Sequence, residues 1–154
     1  MRTKAQIAKH PIHPMLVAIP IGLWIFSLAC DVIRVMGATS PNWQIAAYYT
    51  LVGGILGALI AAVPGFIDML FLPPGPKRIA LIHMAINLTV VVLYVWNAYL
   101  RKHGGLDLAV WLSALGVGLL AISGWLGGKM VYVHGVAVDI PSEPASTTRQ
   151  RTAM

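Results

Sequence analysis

The sequence predicts an all-α integral membrane protein, an antiparallel four-helix bundle with both termini in the cytoplasm. Three observations carry this. Hydrophobic residues make up 58% of the 154 positions and charged residues only 10%, against about 25% charged in a soluble domain, and the mean hydropathy is +0.76. The apolar residues fall into four stretches, each long enough to cross a bilayer core of about 20 helical residues. Lysine and arginine are unevenly divided between the connections. Arg2, Lys4, Lys9, Lys77, Arg78, Lys129, Arg149 and Arg151 share one side, and Arg34, Arg101 and Lys102 the other. The richer side faces the cytoplasm, so the net charge of +6 reports orientation rather than nucleic-acid binding.

The first segment spans about residues 14–36 and stops at "MGATSPN", a run of turn formers. Its "SLAC" has the look of a lipoprotein cleavage box ending at Cys30. Ser27 stands where such a box has leucine, however, and the apolar run continues to Met36. A retained helix is therefore expected. The second segment, about 43–72, ends at "LPPGPKR", the third, about 77–100, at "RKHGG", and the fourth covers about 106–133. Residues 1–138 form one transmembrane domain in this reading, and the Pro/Ser/Thr-rich stretch 139–154 is a flexible polar tail. Short connections make neighbours antiparallel. Gly53, Gly57, Ala61 and Gly65 in the second segment, and Gly116, Gly124 and Gly128 in the fourth, form rows that admit a neighbouring helix or a flat cofactor. Cys30 has no second cysteine to pair with.

Helix parity gathers the chemistry at one end. The start of the first segment, the end of the second, the start of the third and the end of the fourth share a membrane face. His10, His13, Asp68, His83 and His134 therefore collect at the cytoplasmic end, with Asp139 just beyond, while His103 lies in an outer loop. Pro11 and Pro14 disfavour helical geometry at the preceding His10 and His13. Pro14 suits the first helical position, where the helix dipole favours a neutral, ligating imidazole at His13. His83 stands at membrane depth, where an ionisable side chain points to function. Gly135 can end the fourth helix beside His134. Helix punctuation at "HP", interfacial polarity at His134 and a core hydrogen bond at His83 are the structural alternatives.

A second pattern runs along the third segment. His83, Asn87, Tyr94, Asn97 and Arg101 step by four, seven, three and four residues, staying within about 40° of His83 on a helix. His13 and Asp31 lie 18 residues apart, about five full turns. A polar column from His13 and His83 to Asp31 and Arg101 is expected, with Arg34 the rival partner for Asp31. It would serve as helix glue with one ion pair, or as a proton or quinone path.

The stretch "HPIHPMLVAIPIGLWIFSLACDVI", followed by "PGFIDML", "HMAINL" and "SGWLGGKMVYVHGVAV", resembles the bacterial membrane family catalogued as domain of unknown function 2231, over about residues 8–138. The resemblance implies a multi-pass four-helix protein of the bacterial inner membrane and points to His10, His13, Asp68, His83, Asn87 and His134. Some relatives carry a Rieske-type iron–sulfur domain, which implies electron transfer. The tail here lacks that domain's Cys and His ligands, so a separate redox protein such as a Rieske-type protein is the expected partner, beside the bilayer and further copies of the chain.

The resulting expectation is a histidine-rich site serving electron transfer. His13, His83 and His134 are the candidate haem b ligands, with Gly124, Gly127 and Gly128 leaving room for the ring. His10, His13, Asp68, His83 and His134 are the candidate ligands of a Fe, Cu or Zn ion. A non-catalytic anchoring or assembly subunit and a small transporter or proton conductor are the alternatives. No nucleophile is placed with a base, and no phosphate-binding loop follows a strand.

Overall fold

A computed structural model describes residues 3–138 of the chain. The polar tail with Asp139, Arg149 and Arg151, and Arg2 at the other end, lie outside the described residues. Two short strands, β1 (Gln6–Ile7) and β2 (His10–Pro11), form a hairpin that leads into α1 (Ile12–Leu16) and α2 (Ala18–Val35). Then follow α3 (Asn42–Leu70), α4 (Pro74–Lys102) and α5 (Leu106–Tyr132). Four spans are long and apolar enough to cross a membrane, the first being α1 and α2 together over 24 residues, about 36 Å of helix.

The first helix starts earlier than the prolines suggest. Pro11, with φ −71° and ψ 124°, is its cap, and His13 is already helical. Pro14 costs little there, because N–H groups of a first turn have no intrahelical acceptor. Pro20 cannot donate to the Leu16 carbonyl, and the break between α1 and α2 falls at the next residue, Val17. The prolines after "FL" also sit inside a helix start, so α4 begins at Pro74 rather than at residue 77. Gly37 and Gly104 take positive φ just beyond α2 and α4, a conformation that costs glycine nothing.

Helix α2 packs chiefly on α3, and α4 on α5, while α3 meets α4 and α2 meets α5. The core is a cluster of Trp24, Leu51, Val90 and Tyr94. The Trp24 and Tyr94 rings stack with centroids 4.2 Å apart and planes 2° from parallel. Trp24 Nε1 donates to the Leu51 carbonyl at 3.1 Å, and Ser27 Oγ to the Ala47 carbonyl at 2.8 Å. Glycines make these contacts possible. A Cβ at Gly54 would strike the Trp24 indole, and one at Gly116 would come within 2.6 Å of the Tyr94 ring.

Outside and inside are exchanged relative to a soluble protein. Ile25, Phe26, Leu56, Leu59, Leu88 and Leu115 are exposed, whereas Ser27, Asp31, Asn97 and Ser113 are fully buried. Exposed tyrosines and tryptophans cluster towards helix ends, with Tyr49, Trp96, Tyr99 and Trp111 at one end and Trp125 and Tyr132 at the other. That is the distribution of interfacial belts in a bilayer.

Candidate functional site

Two polar clusters lie in the bundle, separated by the Trp24–Tyr94 stack. In the first, His13 from α1 and His83 from α4 face one another, ring centroids 6.4 Å apart and planes 87° apart. His13 Nδ1 lies 2.8 Å from the Ala61 carbonyl. That carbonyl belongs to the turn before Pro64, where a helix-internal proline loosens the backbone ladder. His83 Nδ1 lies 2.9 Å from the Ser123 carbonyl and 2.9 Å from Ser123 Oγ. A carbonyl oxygen can only accept, so Nδ1 carries the hydrogen in both rings. In the neutral rings Nε2 then bears the free lone pair. Asn87 Nδ2 completes the cluster, donating to Ser123 Oγ at 2.7 Å and to the His83 carbonyl at 2.8 Å.

The glycines here make room for imidazoles. A Cβ at Gly65 would come within 2.6 Å of His13 Nδ1, and one at Gly127 would touch His83 Cε1 at 3.5 Å. The rest of the α3 row packs the same way, Gly53 against Leu23 and Gly57 against Ile19 and Pro20. The fourth-segment row is corrected. Gly124 faces open space and Gly128 meets only Tyr132 of its own helix. The small residues that receive α4 are Ala109, Ser113, Gly116, Ser123 and Gly127.

The remaining three candidates do not join His13 and His83. Among the described residues no three His, Cys, Asp or Glu side chains come together as a metal site. His10 is exposed in the hairpin and bonds the Ala8 carbonyl two residues back, at 2.9 Å. Asp68 Oδ1 accepts the Ala5 N–H at 2.8 Å and so holds the hairpin to the end of α3. His134 lies beyond the end of α5, where Gly135 N–H bonds Val131 and Val136 N–H bonds Met130. A shared end gives these side chains one depth. It does not turn them towards one point.

In the second cluster Arg101 Nη1 donates to Asp31 Oδ1 at 2.9 Å, and Nη2 pairs with Oδ2. The two side chains are 2% and 0% exposed, so neither charge has water to fall back on. Arg101 Nε donates to Asn97 Oδ1 at 2.7 Å, and Asn97 Nδ2 to Ser113 Oγ at 2.8 Å and the Ala109 carbonyl at 2.7 Å. Arg34 does not take Asp31, and its Nε and Nη2 have no hydrogen-bond partner. Tyr94 OH donates to the Ser113 carbonyl at 3.3 Å. Sequence reasoning found the α4 stripe and missed Ser113, Ser123 and Trp24. The two serines follow Ala109 and Gly116 in a four–three–seven spacing that answers the α4 stripe, a weak signal in a helix already rich in small residues.

A family model described as "Predicted membrane protein (DUF2231)" matches residues 9–140. No curated protein and no solved structure matches the chain.

Proposed function

The chain belongs to the DUF2231 family of predicted membrane proteins, and from that premise we propose an electron-transfer protein of the bacterial inner membrane. It would hold a haem b, or one transition-metal ion, between His13 and His83. The observation that carries this reading is the pair of imidazoles, offered from two helices with Nδ1 bonded to main-chain carbonyls. Such bonds orient the ring and leave Nε2 as the ligating nitrogen. The two rings stand with centroids 6.4 Å apart, so both would be within reach of one bound group.

When bound, haem, iron or copper would supply a one-electron couple, whereas zinc, which has no redox chemistry, would make the site structural. The chain's own residues hold the rings. Ala61 and Ser123 fix the imidazoles, Asn87 fixes Ser123, and Gly65 lets His13 approach α3. A separate redox protein, such as a Rieske-type protein, would exchange electrons with it, and a second copy of the chain is a further candidate partner. The bundle is read as antiparallel with both termini cytoplasmic. Supporting the antiparallel run of α2 against α3, Pro20 meets Gly57, Trp24 meets Leu51 and Ser27 meets Ala47, one number rising as the other falls. The Trp24–Tyr94 stack between the two polar clusters counts against a continuous proton path.

Haem and metal content of the purified full-length protein tests the proposal. Near-stoichiometric haem or metal in the wild type, absent from His83→Ala, supports ligation. A wild type that stays empty after incubation with haemin or with Fe, Cu and Zn salts rejects it, and makes the histidines ties between helices.

A further inference from the structure

The N-terminal hairpin and α1 do not close completely on α3. Between them runs an open groove of about 630 Å³, walled by Ile12, Leu16, Ile60, Val63, Pro64 and Ile67, with Lys4 at its mouth. Ile60 and Ile67 are seven residues apart on α3, so the apolar wall runs about 10 Å along the helix. Ile60, Val63 and Ile67 on its wall are exposed, on a span long and apolar enough to cross a membrane.

We propose that this groove is a binding site for an anionic phospholipid, with an acyl chain along α3 and the phosphate at Lys4. Charge complementarity selects the occupant. The walls are aliphatic and belong to two membrane spans, and the cation stands where the helices begin and end, at headgroup level. The Lys4 ammonium lies 5.5 Å from the centre of the Phe71 ring, a residue at the end of α3. That contact sets the side chain at the rim and leaves its donors free to meet a phosphate. The hairpin that carries Lys4 is anchored. Asp68 takes the Ala5 N–H, and Ile12 N–H donates to the Ala5 carbonyl at 3.1 Å. Ala8 and Lys9 at its turn hold φ of 48° and 68°, a left-handed pair that non-glycine residues adopt only when the surroundings enforce it. The site does not depend on what His13 and His83 bind.

The test is lipid retention by the full-length protein. Wild type is reconstituted in vesicles of equal phosphatidylcholine and phosphatidylglycerol, re-extracted in detergent, and its bound lipids measured by mass spectrometry. Phosphatidylglycerol should be enriched about fivefold, the factor given by about 1 kcal/mol for one lysine at an anionic surface. Lys4→Gln should retain both lipids equally, and Val63→Trp or Ile60→Trp, which fill the groove from lipid-facing positions, should lose both. Millimolar inorganic phosphate should not displace the lipid. Equal retention by the wild type, full preference in Lys4→Gln, or unchanged lipid in both groove-filling variants would overturn the proposal.

Discussion

Asp31 and Arg101 show how little freedom a charged residue has in this interior. Each satisfies the other, and Asn97 and Ser113 take up further donors and acceptors. Losing one partner leaves the other charge buried and alone, at a cost of roughly 3–5 kcal/mol. Asp31→Leu and Arg101→Leu should each destabilise the bundle by about that amount in detergent unfolding. The double variant should recover much of the loss, because no uncompensated charge remains. A double variant as unstable as the sum of the singles would mean that the pair acts through packing alone. The helical register of 13 and 31 on one helix, and of 83 to 101 on the other, made this pair legible in the sequence. His10, Asp68 and His134 were not legible in the same way. Parity fixes the depth of a residue, whereas hydrogen bonds to Ala8 and Ala5 decide where two of these side chains turn.

At the scale of the element, α4 and α5 meet as a polar stripe set into a row of small residues. Tyr94 lies over Gly116, and His83 over Ser123 and Gly127. Bulk added to that row, or to Gly54 under Trp24, should force rings apart. Gly54→Ala and Gly116→Ala should each lower stability by about 1–3 kcal/mol, the usual cost of overfilling a packed site. Gly118→Ala, at a position where a Cβ meets nothing within 4 Å, should be neutral or slightly stabilising, as helix propensity favours alanine. Thermal unfolding in detergent compares the three, and equal effects would contradict the contacts. The spans themselves were plain from the apolar runs. Their ends moved by a few residues where proline sits within a first turn, at Pro14 and at Pro74 and Pro76. The receiving row on α5 was hidden, since serine, alanine and glycine break the apolar period only weakly. The glycines that stand out in sequence, Gly124 and Gly128, look away from the neighbouring helices.

For the whole molecule, the division of lysine and arginine predicts which side each connection faces. A reporter fused after residue 138 should read cytoplasmic, and one in the connection at Thr39 periplasmic; the reverse pattern would place the His13 end outside. The exposed aliphatic surface and the end-clustered aromatics give the bundle its lipid setting, and the interior is organised as two polar clusters around one stacked pair of rings. Of these, the His13–His83 cluster brings two imidazoles from different helices together, each with Nδ1 bonded to a main-chain carbonyl. The most direct measurement is a reduced-minus-oxidised visible difference spectrum of the full-length protein after incubation with haemin, with His13→Ala and His83→Ala alongside. Haem ligation by His13 and His83 predicts a low-spin b-type haem spectrum in the wild type that both single variants lose, while His10→Ala and His134→Ala keep it. A wild type without such a spectrum, or single variants at His13 and His83 that retain it in full, would contradict haem ligation by this pair.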